Sequence, residues 1–520
     1  MKYVNHTSLL LCILDIIYVS LSMAKLCPYT NKNCLCIKKT VACGSLQTIP
    51  PLNIGSDVIA VDSVRFAEGQ ITSVPENSLP PSLVSIEFSD NPLTNISDAA
   101  FSNSSATLKS LAIRSATFSQ IPQAIAKLTA LETLSLDTVR INDWNSPALQ
   151  NIFGTLKSLT IRNVTFTQIP QAFAKLSILE TLRLVAIPIN DWNRSALQNI
   201  VGTLRTLDLI NMNLSVWPRW ISDCTLKNVF INRAIFHSIP DDAFVSMNQS
   251  LTSFSVLNSG LTQVPKALTS LLNLTVLEIS GSHLENVGGR EGFEQITTFP
   301  LANTLLTLIG TNLYLKSLPN FSALKSLASL NLYRNEIPEV TSGILPQRLV
   351  TLSLGYNSIT KLTNTSFASL VLLETLFLQN NPITEISRGA FKDLASLKTL
   401  DLSYTSLTQI PLALVLLSGL GSLDISGVYT LQCPCPIVVT ELQLWYASYN
   451  KSTTIRGVCC SQEKITTYLN GTCQQQLPVT NTCSGSEAVL TRGFKYNCLL
   501  LLSLHVIVSF LSEYFAGLAV

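Results

Sequence analysis

Between Leu108 and Thr203 the chain writes one 48-residue passage twice. The first copy, Leu108–Thr155, and the second, Leu156–Thr203, align without a gap and agree at 33 of 48 positions. Each copy divides again into two units that open alike: LKSLAI, LETLSL, LKSLTI and LETLRL. Leucine or isoleucine therefore stands at the first, fourth and sixth places of a unit whose period lies in the twenties. A unit this short cannot bury its own apolar side, so stability has to come from stacking neighbouring copies. The chain is expected to be a solenoid, and 520 residues then need not imply several compact domains.

Openings of this form fall at Leu83, Leu108, Leu131, Leu156, Leu179, Leu204, Leu226, Leu251 and Leu274, less regularly near Leu305, and again at Leu327, Leu349, Leu373, Leu397 and Leu420. An earlier, degenerate unit spans Val58–Val74. In Leu373-Glu-Thr-Leu376-Phe-Leu378 the alternation puts Leu376 and Leu378 on one side and Phe377 on the other, which makes the opening a short strand. Ile-Pro or Val-Pro recurs in the return half, at Pro122, Pro170, Pro240, Pro265 and Pro411, where a residue without an N–H is outside the sheet. Gly389–Leu394 reads as a helical turn packed beneath the strands, and Gly281–Asn303, with Gly288-Gly289, as an inserted loop.

Cysteines bracket the repeats. Cys27, Cys34, Cys36 and Cys43 precede them; Cys433, Cys435, Cys459, Cys460, Cys473 and Cys483 follow; Cys224 lies between. Even numbers at both ends suggest disulfide-bonded caps made in an oxidising compartment, and Cys224 a buried free thiol. The end strands of a stack would otherwise expose an edge and apolar filling. Leucine repeats, the Cys27-x6-Cys34-x-Cys36-x6-Cys43 run and the Cys433-Pro-Cys435 start of the second cluster resemble the extracellular leucine-rich repeat family with cysteine caps. The resemblance implies an α/β solenoid: a horseshoe with a parallel sheet on its concave face, roofed by disulfide-bonded caps. It also implies that the C-x-C cysteines bond to two later ones and that an aromatic-rich helix, marked here by Trp445, belongs to the second cap. The family places Asn three residues after the third leucine, as at Asn91, Asn335, Asn357 and Asn381. The middle repeats depart from this with Ala116, Val139, Val164, Ile187, Met212 and Ala234.

The ends suggest export and anchoring. Residues 1–24 read as a secretory signal peptide, with an apolar run Leu9–Val19 before Ser22-Met23-Ala24. Residues 25–51 form the first cap, 52–428 about fifteen repeats, and 429–483 the second cap. Ser484-Gly485-Ser486, a spacer to residue 497 and the apolar tail 498–520 match the three parts of a GPI-attachment signal. A single membrane-spanning helix is the alternative, disfavoured by Glu513 and the want of a stop-transfer cluster. Sequons stand at Asn95, Asn103, Asn163, Asn193, Asn213, Asn248, Asn273, Asn320, Asn364, Asn450 and Asn470, suggesting a heavily glycosylated protein.

Chemistry is sparse. His237 and His283 are the only histidines of the mature chain, and neither falls in a hydrolase or metal pattern. We expect no enzyme, no metal and no cofactor. A charged fraction of 13% and a net charge of +2 give no reason to expect nucleic acid. The outward strand positions carry what recognition the chain has. In the first half these include Arg114, Arg162 and Arg183, with carboxylates Glu132, Asp137, Glu180 and Asp208 expected to face solvent. Ordinary solubility explains such charges as well as a polar face for a glycan or protein does. In the second half Tyr333, Tyr356, Phe377 and Tyr404 fall on four successive repeats, as exposed aromatics at recognition sites do, although strands favour aromatics in any case.

What the resemblance implies is an adhesion or receptor-type scaffold on the outer face of the plasma membrane, binding an extracellular protein or glycoprotein, with a co-receptor where signalling is needed. A secreted non-catalytic subunit or inhibitor that holds an enzyme, and an innate-recognition or matrix protein, are the alternatives.

Overall fold

The computed structural model describes residues 26–118, 121–141, 143–144, 151–284, 287–297, 300–433, 439–448 and 453–471. The signal-peptide, spacer and tail segments, the anchor residues Ser484, Gly485 and Ser486, and Cys435, Cys473, Cys483 and Asn450 lie outside them. The chain divides into two compact units, one running to Tyr314 and taking in Ala323–Leu327, the other made of Leu315–Ser322 and Ala328 onward.

In the first unit strands recur at each leucine opening: Ser85–Ser89, Ser110–Arg114, Thr133–Asp137, Ser158–Arg162, Thr181–Val185, Thr206–Ile210, Asn228–Asn232, Ser253–Leu257, Val276–Ser280 and Thr307–Ile309. The degenerate stretch contributes Ser63–Ala67. Each strand pairs in parallel with the next, in one constant register: Leu111 lies beside Leu134, then Leu159, Leu182 and Leu207. These leucines are 0–1% exposed, and side chains between them point the other way, so burial alternates along each strand. Period-two alternation decides the register, because a one-residue slip would turn this whole file of leucines to solvent. The second unit repeats the plan in shorter strands, Ser329–Asn331, Thr351–Ser353, Thr375–Phe377, Thr399–Asp401 and Ser422–Asp424. Both units are leucine-rich repeat solenoids of the α/β class.

The return halves explain the prolines. Pro122, Pro170, Pro218, Pro265 and Pro411 each stand immediately before a helical turn of four or five residues. The proline carbonyl accepts the N–H three residues on, as in Phe173 N–H to Pro170 O at 3.0 Å and Leu414 N–H to Pro411 O at 3.2 Å. Proline suits the place because φ is pre-set and the missing N–H is one a helix start leaves unpaired. At Gly389–Leu394 the expected helical turn is a run of plain turns, with Phe391 and Leu394 buried beneath the strands. The stretch expected to be an inserted loop folds instead into the helix Val287–Ile296, with Phe293 and Ile296 buried, followed by Leu301–Thr304. Gly292 permits that packing, since a Cβ there would lie 2.7 Å from Cβ of Val264.

Asparagine does in the second unit what the family pattern implies. The Asn357 amide donates to the carbonyls of Leu332, Leu354 and Gly355 and accepts the Ile337 N–H at 3.0 Å. Asn335 and Asn381 are placed alike, as is Asn91 in the first unit. In the middle repeats Ala116, Val139, Val164, Ile187, Met212 and Ala234 are buried in that place. Their turns use bonds between backbones, such as Thr117 N–H to Leu93 O at 2.7 Å and Ile235 N–H to Leu214 O at 2.8 Å.

Both caps are cross-linked. Cys27–Cys36 and Cys34–Cys43 close the first, whose strands Cys34–Ile37 and Thr40–Gly44 run antiparallel before the parallel ladder begins. In the second, Cys433 bonds to Cys459 and Cys460 is disulfide-bonded as well. Trp445 sits on the helix Glu441–Ser448 and donates its indole N–H to the Leu417 carbonyl at 3.0 Å, tying the cap helix to the last repeats. Cys224 is a free, buried thiol, and burial raises its pKa to about 12. Among the described residues no helix is long and apolar enough to cross a membrane.

Candidate functional site

The outward side chains of each unit form columns, because successive strands keep one register. Just beyond every strand the chain turns through the left-handed region, at Ser115, Thr138, Asn163, Ala186, Asn211, Arg233 and Asn258 in the first unit and at Arg334, Tyr356, Asn380, Tyr404 and Gly427 in the second. The N–H at this kink bonds to the next coil: Asn163 to Val185 O at 3.0 Å, Tyr356 to Gln379 O and Tyr404 to Ser426 O at 2.8 Å. The kink is thus a requirement of the stack, repeated whatever side chain occupies it.

On the first unit some outward charges satisfy one another, whereas Arg114, Arg162 and Arg233 form no ion pair among the described residues. Glu132 lies between Lys109, at 3.3 Å, and Lys157, at 3.1 Å, and hydrogen bonds from Lys157 and Lys109 hold its carboxyl below the ordinary range. Arg183 pairs with Asp208 at 2.7 Å. Asp208 does not face solvent as expected: it is buried, which pushes its pKa up against the opposing pull of Arg183 and Arg162. Arg114 and Arg162 share one column, with Asp137 between them, whereas Arg183 belongs to a different one. Asp137 accepts from the Thr138 hydroxyl at 2.9 Å and the Asn163 amide at 3.0 Å.

The second unit is organised differently. Its four aromatics do not form one row. Phe377 ends its strand, between Leu376 and Leu378 in sequence, level with Asp401. Tyr333 follows its strand by two places, and Tyr356 and Tyr404 occupy the left-handed kink. The structure brings Tyr333 and Tyr356 together, ring centroids 4.9 Å apart. The Arg334 guanidinium lies over both rings, 5.6 Å from Tyr333 and 5.3 Å from Tyr356. Burial, reinforced by the Tyr356 phenol, pushes the Tyr333 hydroxyl up to about 12, so it stays a donor across the physiological range. Tyr404, 54% exposed, lays its ring against the next kink, where a Cβ on Gly427 would come within 2.5 Å of it. Arg334 is absent from the aromatic pattern read in the sequence; numbering from the kink, two residues after the third leucine, would have found it.

Sequons lie mostly away from these columns. Asn95, Asn103, Asn213, Asn248, Asn273, Asn320, Asn364 and Asn470 are in turns and return segments. Asn193 precedes the short helix Arg194–Leu197, its amide donating to Ile169 O at 3.0 Å and Gln171 Oε1 at 3.2 Å. Asn163 alone among the described sequons occupies the kink column.

Family patterns agree with this geometry. The one described as Leucine rich repeat matches residues 325–383 and 373–427, and the one described as BspA type Leucine rich repeat region (6 copies) matches 58–181. None of the curated proteins compared by sequence matches the chain. Among solved structures, a leucine-rich repeat protein of Leptospira interrogans is similar at 21% identity and a TM-score of 0.51, over 71% of this chain and 84% of that one. Toll, in the Toll–Spatzle complex of Drosophila, is similar at 17% identity and a TM-score of 0.55, over 77% of this chain and 58% of Toll. At such identities the likeness concerns the fold.

Proposed function

We propose that this leucine-rich repeat protein is an extracellular binding scaffold, of adhesion or receptor type, that engages a protein or glycoprotein through the outward strand face of its second unit and the kink column that borders it. The observation that carries the reading is the Tyr333–Arg334–Tyr356 cluster. Tyrosine and arginine dominate binding hot spots because they add large contact area and directional donors at small entropic cost. The first unit offers less, since Lys109, Glu132, Lys157, Arg183 and Asp208 are taken up in their own ion pairs, its unpaired Arg114 and Arg162 have no aromatic ring stacked on them among the described residues, and a glycan on Asn163 would stand beside Arg162. Disulfide-bonded caps favour an exported protein, and Toll, whose structure is of its complex with Spatzle, is similar in fold. GPI attachment through Ser484, Gly485 or Ser486 would place the scaffold on the cell surface.

Two measurements test the reading. Phosphatidylinositol-specific phospholipase should release the protein from intact cells; retention would remove the lipid anchor. Affinity capture with the soluble Lys25–Cys483 segment should yield a partner that Tyr333→Ala/Tyr356→Ala loses and Arg114→Ala/Arg162→Ala keeps. Equal capture by all three forms would remove the second unit's face from consideration.

A further inference from the structure

The kink column poses a physical question. Each residue in it has φ near +55°, a region costly for side chains other than glycine and easiest for asparagine or aspartate. Elsewhere the column takes such residues at Asp90, Asn163, Asn211, Asn258 and Gly281, and others at Glu68, Ser115, Thr138, Ala186 and Arg233. Among the described residues tyrosine enters it only in the second unit, at Tyr356 (φ 55°) and Tyr404 (φ 54°), with Arg334 (φ 56°) in the neighbouring coil.

A second observation says what the site would take. In this unit Lys361, Lys398, Arg388 and Arg456 each have a carboxylate partner within 4 Å. Arg334 forms no ion pair among the described residues, and neither do Lys316, Arg348, Lys392 and Lys464; what sets Arg334 apart is that its cationic plane is held against two tyrosine rings. A guanidinium positioned in this way loses little freedom on binding, and its fork matches a carboxylate with two parallel hydrogen bonds.

We propose that Arg334, held by Tyr333 and Tyr356, binds an aspartate or glutamate side chain of a partner protein, with Tyr356 and Tyr404 contacting apolar groups beside it. This rests on the reading of the face as a binding surface and adds the chemistry of the partner. Tyr356 is then a residue kept for binding at the expense of stability.

The test uses the intact protein to select from a random-peptide display library, with a glucuronate-containing polysaccharide as a second probe. Enriched peptides should carry Asp or Glu next to an apolar residue. Arg334→Gln should weaken them about tenfold or more, the loss expected for a charge-assisted pair, and Arg114→Gln should leave them unchanged. Tyr356→Asn should weaken binding while raising the thermal midpoint by about 1–2 °C. Enriched peptides that lack acidic residues but depend on Tyr333 would overturn the carboxylate assignment alone, as would Arg334-dependent binding of the polysaccharide with no acidic peptide bound. Peptides indifferent to Tyr333, Arg334 and Tyr356, or no enrichment, would count against the binding face as well. Should Tyr356→Asn misfold, Arg334→Gln still decides.

Discussion

Asp401 shows how much a single side chain in these columns depends on its repeat. It shares a register position with Asn331, Ser353, Phe377 and Asp424. Burial raises its pKa above the ordinary 3.8 and neighbouring Asp424 adds to this, while bonds from the Ser403 hydroxyl and N–H and the charge of Arg456 oppose it. A carboxyl with a raised folded pKa binds its proton more tightly in the folded state. Its stabilising contribution is therefore full below the unfolded pKa and is lost as pH rises through the folded value. Asp401→Asn keeps an acceptor for the Ser403 N–H, as Asn331 does for Tyr333 N–H at 3.0 Å. The variant should melt higher than the parent near pH 7, with the difference vanishing near pH 3. A gain of equal size at both pH values would show that charge burial is not its source.

At the scale of one repeat, the choice between asparagine and an apolar residue separates two ways of closing the turn. Asn357 serves four backbone groups, so Asn357→Ala leaves several of them buried and unpaired. It should cost about 1–3 kcal/mol, read as a shift in the denaturant midpoint at unchanged slope. No change would mean that the turn can rely on backbone bonds, as the middle repeats do. Much of this was legible in the sequence: leucine spacing marks the strands, and the regular asparagines mark the turns. The helix Val287–Ile296 was not, because two adjacent glycines in an irregular stretch resemble a loop until Gly292 is seen against Val264. Aromatics on four successive repeats were visible, but their columns were not. Tyr356 and Tyr404 sit at the kink and Phe377 within its strand, a distinction that requires the register. Arg334 escaped notice because its place at the kink, next to Tyr333 and one coil from Tyr356, appears only when positions are counted from the third leucine. Asp208 escaped because burial of an outward strand position depends on neighbouring coils.

For the whole molecule, the two solenoid units differ in what their strand faces have left for a partner. In the first, lateral pairs such as Lys109–Glu132–Lys157 and Arg183–Asp208 consume charge that a partner would otherwise meet; the exposed Lys109–Glu132–Lys157 set adds little stability. In the second, lateral pairing leaves out Arg334 and the tyrosines around it. The proposed glycans reinforce the difference, since Asn320, Asn364 and Asn470 lie off the strand columns while Asn163 borders those of the first unit. Covalent footprinting of the intact, glycosylated protein with its captured partner bound tests this directly. Tyr333, Tyr356 and Tyr404 should become protected from tyrosine-modifying reagent, while Tyr429, 63% exposed in the second unit, and Tyr314 in the first should react as in the free protein. Protection confined to the first unit, or unchanged reactivity at Tyr356 and Tyr404, would contradict the assignment of the recognition surface.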